Sequence, residues 1–275
     1  CEEDVPGAFG LDFDDSAWDG FEVGSEWGRR DKTAWFRTAI DIPEHWMGRK
    51  VALYVIADST REGGSGGSEA LLFINGEAAQ GLDANHREVC LLPEQIESGR
   101  LSIAIKAFSG LKDEKRVFRT AQLVRIHEAT EDLFFRAYTV LQAIDTLPET
   151  DYDRQSLVRF LNEAINTIDF RKPGSEEFYA SVARANELLK ARLKAYKPET
   201  ENKPVITAVG HSHIDVAWLW QLRHTREKCS RTFSTVNHLM KQYPQYAFVQ
   251  STPQLYEFIE QDYPEIFAEM KKNIE

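Results

Sequence analysis

The sequence predicts a multi-domain protein: an N-terminal β-sandwich of jelly-roll type, a helical linker region, and the start of an α/β parallel-sheet, barrel-like domain. Three stretches of different hydrophobic pattern predict it. Short runs rich in Val, Ile, Leu and aromatics from about Asp12 to Ala107 mark a domain over 1–128, apolar residues at helical spacing from about Thr130 to Tyr196 mark an arm over 129–200, and a strand–helix–strand–helix order opens in 201–275. With 275 residues and 42% hydrophobic content the chain can bury more than one core.

In the first region the runs Ala34 to Ile42, Val51 to Ala57, Ala70 to Ile74, Glu88 to Leu92 and Leu101 to Ala107 are strand-like. Asn75-Gly76, after Leu71-Leu-Phe-Ile74, signals a hairpin because both residues tolerate positive φ. Short strands joined by turn chemistry indicate a sandwich. The tract Gly63 to Ser68 has flexible-loop composition, natural or introduced as a splice. Trp18, Trp27, Trp35 and Trp46 read as sandwich core ahead of a carbohydrate platform, and Asp83 and His86 as turn partners ahead of an extended sugar site.

The second region holds three amphipathic helices. Leu133, Ala137, Val140, Leu141 and Ile144 mark one face, Leu157, Phe160, Leu161, Ala164 and Ile168 a second, and Phe178, Val182, Ala185, Leu188, Leu189 and Leu193 a third. Pro148 and Lys172 to Ser175 punctuate them. They form a small bundle or an arm between two domains, with no catalytic pattern, and the polar linker Lys197 to Pro204 follows.

In the third region Val205 to Val209 reads as a strand, Ala217 to Tyr243 as a long helix with Leu222, Cys229, Phe233, Val236 and Met240 on one face, Ala247 to Gln250 as a second strand, and Pro253 as a helix start. Parallel sheets place ligands at the carboxyl ends of their strands. His211, His213 and Asp215 follow the first strand; in extended backbone all three project to one side, as a divalent cation requires. Trp218 and Trp220 come next, and helical spacing turns Trp220 toward the core. Two strands cannot bury both faces of a parallel sheet, so this unit is expected to be incomplete.

Composition sets outer limits. The net charge of −11, from 44 acids against 33 bases without a long single-sign run, argues against nucleic acid and against an anionic membrane surface. The chain has no membrane-length apolar run and no opening signal segment, and reads as soluble. Cys1, Cys90 and Cys229 form no Cys-x-x-Cys pair, so neither a disulfide framework nor a thiolate zinc site is expected, and a reducing, cytoplasmic location is. Cys1 suits a processed lipoprotein terminus, but the missing initiating Met more simply suits a piece of a longer chain.

Gly210-His-Ser-His-Ile-Asp-Val-Ala-Trp-Leu-Trp220, Phe233-Ser-Thr-Val236, Met240 to Pro244, Phe248-Val-Gln-Ser251 and Gln254-Leu-Tyr256 to Tyr263-Pro264 follow one another in order. This series resembles the start of the catalytic domain of glycoside hydrolase family 38 α-mannosidases, in their cytosolic and bacterial branch. Residues 9–127, with Gly81-Leu-Asp-Ala-Asn-His86, are similar to the β domain that precedes catalysis there.

The resemblance implies a zinc-dependent retaining hydrolase acting on terminal α-D-mannosyl residues of oligosaccharides. It implies zinc held by His213 and Asp215 and a pocket wall formed by Trp218; His211 is read as supporting its neighbours without touching the metal. The nucleophile, a further histidine ligand and the acid/base are expected beyond Glu275, so no catalytic residue is assigned within this chain, which is expected to be inactive alone. A missing C-terminal part or an assembly of copies is left open, as is linkage preference. Two alternatives stand beside this reading: a metal-dependent amidohydrolase, and a carbohydrate-binding fragment without turnover.

Overall fold

A computed structural model describes residues 4–58, 67–196 and 205–274. Cys1, Gly63 to Gly66 of the glycine–serine tract and the Lys197 to Pro204 linker lie outside the described residues. The chain divides into two compact units, residues 1–125 together with 207–275, and residues 126–206.

The first unit opens with β1 (Glu26–Trp27), β2 (Thr33–Asp41), β3 (Val51–Ile56), β4 (Glu69–Ile74), β5 (Glu77–Leu82), β6 (Glu88–Cys90), a short helix α1 (Pro93–Glu97), β7 (Arg100–Phe108), β8 (Arg116–Val117) and β9 (Thr120–Arg125). One sheet has the order β2-β7-β4-β5, a second β6-β3-β9, and β1 pairs with β8; each of these pairings is antiparallel. Alternation explains the layering. Leu101, Ile103, Ile105 and Ala107 of β7 join Leu53 and Val55 of β3 in the core between the sheets. On the other face of the larger sheet Trp35, Leu71, Phe73 and Ala104 pack under Phe9, Phe13 and Trp18. Covered on both faces, β4 needs an uninterrupted apolar run, Ala-Leu-Leu-Phe-Ile.

The expected hairpin is present. Asn75 (φ 52°) and Gly76 (φ 84°) turn the chain between Ile74 and Glu77, the left-handed pair that a two-residue turn requires. Its second strand, Glu-Ala-Ala-Gln-Gly-Leu, has little β propensity and no reading from periodicity reaches it. Trp27 and Trp35 are buried, as expected of core, whereas Trp18 and Trp46 are only half-buried.

Among its described residues the second unit has three helices, α2 (Glu128–Thr146), α3 (Tyr152–Ile165) and α4 (Glu176–Ala195). Their first turns are capped by the side chains of His127, Asp151 and Ser175, which accept from Thr130, Arg154 and Phe178 N–H groups. Leu133, Val140, Ile144, Phe160, Leu161, Ala164, Val182, Ala185 and Leu189 form the core. Leu141 does not join it and is 50% exposed, because it stands about 100° round the helix from Val140.

The first unit resumes with β10 (Gly210–His211), α5 (Leu222–Gln242), β11 (Phe248–Val249), α6 (Pro253–Asp262) and α7 (Pro264–Ile274). The pair β10–β11 is parallel. Cys229, Phe233, Leu255, Phe258, Ile259, Ile266 and Met270 make the local core, and burial pushes the Cys229 thiol up to about 12, so it packs as a neutral group.

The structure departs from the expected elements on both sides of the His213–Asp215 segment. Val205 to Val209 do not form a strand; Val205 and Ile206 are 92% and 86% exposed, because pairing reaches only Gly210 and His211 and nothing among the described residues covers the run. The helix begins at Leu222 rather than Ala217, since Ala217 takes φ 66° and the His224 side chain caps the Gln221 N–H at the helix start. Leu222, at that end, is 46% exposed and leaves the expected apolar face.

α5 lies on the sandwich. Gly81 of β5 donates its N–H to Thr235 Oγ1 at 2.9 Å, and Glu69 of β4 meets Lys228 and Arg231, each at 2.5 Å. Lys106 of β7 pairs with Glu227 at 2.9 Å, an attraction that raises the Lys106 pKa although burial opposes it.

Candidate functional site

The site grows from the short parallel pair. Gly210 is opposite Phe248 and His211 opposite Val249. Beyond it, Gln250 Nε2 donates to the Ser212 carbonyl at 2.6 Å, while the Gln250 carbonyl accepts from Tyr256 OH at 2.8 Å. The end of β11 thus holds the segment leaving β10.

His213 Nε2 and Asp215 Oδ1 come to 3.2 Å of each other, with side chains 82% and 41% exposed. His211 goes elsewhere: its Nδ1 sits 2.9 Å from the Val249 carbonyl. Strand pairing stops at His211, so the alternation that would carry all three residues to one side does not continue. Among the described residues no group of three or more His, Cys, Asp or Glu side chains could hold a metal ion.

The two side chains form a hydrogen-bonded pair whose donor types, imidazole nitrogen and carboxylate oxygen, are ones zinc also accepts. Zinc bonds of about 2.0–2.2 Å at tetrahedral angles place two ligating atoms about 3.4 Å apart. The 3.2 Å separation and the combination of imidazole nitrogen with carboxylate oxygen fit two donors of one such ion. The remaining donors would have to come from outside the pair.

Three residues after Asp215, Trp218 is 63% exposed and stands edge-to-face with Trp220, ring centroids 5.6 Å apart. Trp220 is not on a helix, and it is half-buried rather than core. Lys228 lies 4.9 Å over its ring, and its indole N–H donates to Thr225 Oγ1 at 3.0 Å. The same hydroxyl accepts from Ala217 N–H at 3.1 Å and donates to the Asp215 carbonyl at 3.2 Å.

The start of α5 is tied to a sandwich loop. His224 Nδ1 accepts from Gln221 N–H at 3.1 Å, which leaves its Nε2–H for Asp31 Oδ1 at 3.0 Å. Arg223 also pairs with Asp31, whose backbone is left-handed at φ 59°. Burial, the largest single influence, opposes the Asp31 charge, but His224 and Arg223 outweigh it and hold the carboxyl below its usual value. Sequence reasoning missed Asp31, His224 and Thr225.

Asp83 and His86 make the turn expected of them. Asp83 Oδ1 accepts from Asn85 N–H, His86 N–H and His86 Nδ1 at 2.7, 2.8 and 2.9 Å. These bonds, led by the His86 side chain, outweigh an opposing burial effect that is larger than any one of them, and lower the Asp83 pKa to about 2.

Sequence comparison is specific for both ends of the first unit. Residues 203–275 match the glycosyl hydrolases family 38 N-terminal domain, and residues 11–108 match the alpha-mannosidase jelly roll domain. The chain is thus similar to the N-terminal portion of family 38 α-mannosidases.

Relatives include Alpha-mannosidase G of Dictyostelium discoideum, 27% identical over 92% of this chain and 24% of that protein. Alpha-mannosidase 2C1 of Mus musculus is 27% identical over 91% of this chain and 24% of its own length. Alpha-mannosidase of Saccharomyces cerevisiae is 25% identical over 89% and 24%. The chain therefore spans about a quarter of the length of these curated relatives. No helix among the described residues is long and apolar enough to cross a membrane.

Proposed function

We propose that this chain is the N-terminal part of a zinc-dependent, retaining α-mannosidase that removes terminal α-D-mannosyl residues from oligosaccharides in the cytoplasm. The observation that carries the reading is the 3.2 Å pairing of His213 Nε2 with Asp215 Oδ1, followed three residues on by exposed Trp218, inside the segment matched to family 38. The segment 201–275 is then the opening of a barrel-like catalytic domain, after a sandwich (1–128) and a helical arm (129–200). The same match favours this reading over the amidohydrolase alternative.

In this reading His213 and Asp215 are two of the metal donors, and Trp218 offers a flat apolar face to one side of the sugar ring. Bound zinc would supply an electrophilic anchor for neighbouring sugar hydroxyls and stabilise charge. Asp215 brings the compensating negative charge. His211, engaged with the Val249 carbonyl, steadies the strand end instead of binding metal. Retaining hydrolysis needs two carboxyl groups about 5–5.5 Å apart, and neither role is assigned to a residue of this chain.

Replacement of Asp215 by Ala in the full-length protein tests the proposal. Hydrolysis of p-nitrophenyl α-mannoside and bound zinc should both fall, activity by more than about 100-fold. Retention of both would remove Asp215 from the site.

A further inference from the structure

Thr225 is fully buried, yet its hydroxyl serves the loop before α5. A threonine hydroxyl has one donor and two acceptor positions. All three are used across residues 215–220: the donor on the Asp215 carbonyl at 3.2 Å, the acceptors on Ala217 N–H at 3.1 Å and Trp220 Nε1–H at 3.0 Å. A helical threonine ordinarily turns its hydroxyl back onto the carbonyl one turn earlier. Here it faces the loop instead.

Each bond acts on a different part of the site. The first fixes the backbone of Asp215, whose carboxylate meets His213. The second holds Ala217 at φ 66°, a left-handed conformation that a residue with a Cβ adopts only at a cost and only when its surroundings impose it. The third sets the Trp220 ring, also held under Lys228, and Trp218 rests edge-to-face on that ring.

We infer that Thr225 is the positioning residue of this site: its hydroxyl sets the Asp215 donor and the Trp218 face in one fixed arrangement without itself touching metal or sugar. The inference rests on the reading of His213 and Asp215 as metal donors. Valine at this position keeps the shape but orphans the Ala217 and Trp220 N–H groups and releases the Asp215 carbonyl. Serine keeps every bond.

The test uses the full-length protein with Thr225→Val, Thr225→Ser and Thr225→Ala, and His213→Ala for comparison, with zinc affinity measured by competition against a chelating dye at a temperature where each remains folded. Thr225→Val and Thr225→Ala should bind zinc about 10- to 100-fold more weakly, while Thr225→Ser stays near wild type. Should Thr225→Val fail to fold, Thr225→Ala against Thr225→Ser decides. Wild-type zinc affinity in the Val or Ala variant, with affinity lost in His213→Ala, overturns the inference alone; unchanged affinity in His213→Ala overturns the metal reading and the inference with it.

Discussion

The N–H of Gly81 reaches the hydroxyl of Thr235 at 2.9 Å, so strand β5 and helix α5 touch backbone to side chain with nothing between them. That closeness needs glycine. A Cβ at residue 81 would fall 2.9 Å from Arg231 Cβ and 3.1 Å from the Arg231 carbonyl oxygen, both on the rigid part of the helix. Gly81→Ala should therefore destabilise the protein by about 1–3 kcal/mol, the usual cost of overpacking. Thermal unfolding measures it, and an unchanged Tm would mean that α5 does not lie on β5 as described.

Glu69 sits almost buried between Lys228 and Arg231. Burial is the largest single influence and opposes its charge, but the attraction of Arg231 and then Lys228 outweighs it and the carboxyl pKa is lowered. A carboxyl whose folded pKa lies below its unfolded value of about 4.3 stabilises fully above that pH, and the contribution disappears as pH falls through the folded value. Docking of α5 should accordingly weaken only in acid, below about pH 4. Glu69→Gln should cost about 3 kcal/mol at neutral pH by leaving two cations unpaired, and should flatten the acid limb. Urea midpoints from pH 3 to 7 read both; an acid limb of unaltered steepness in the variant would count against the pairing.

Asp31 ties the sandwich to the first turn of α5 through His224 and Arg223. Asp31→Ala should leave the sandwich core intact and loosen residues 221–225. Backbone amide exchange is the suitable measurement, with exchange about 10-fold faster at Thr225 and its neighbours. Equal protection in both proteins would show that the tie carries no local stability.

Trp218 is exposed while Trp220 is anchored, so the two indoles should separate in function. In the full-length protein Trp218→Ala should raise the KM for an α-mannoside about 10-fold through loss of an aromatic face, with zinc content unchanged. A fall in zinc content instead would assign Trp218 to holding the loop.

Sequence legibility followed periodicity. The three helices of residues 126–206 were readable because their apolar residues recur at helical spacing, with Leu141 misplaced by a single step around the cylinder. Strand β7 was readable from Leu-x-Ile-x-Ile-x-Ala, whereas β5 and the half-exposed β9 carry weak patterns and exist through their neighbours. At the site, the residue types of His213 and Asp215 announced themselves. Thr225 did not, because a hydroxyl that spans ten residues leaves no periodic trace. Nor did Ala217, whose positive φ is imposed by its surroundings and invisible in the identity of an alanine.

The central claim is that His213 and Asp215 share one zinc ion in the full-length protein. Anomalous diffraction from crystals of that protein, recorded on both sides of the zinc absorption edge, tests it most directly. The account predicts one strong peak about 2.0–2.2 Å from both His213 Nε2 and Asp215 Oδ1. A zinc peak held by other residues, or none at this pair in enzyme that hydrolyses α-mannosides, would contradict it.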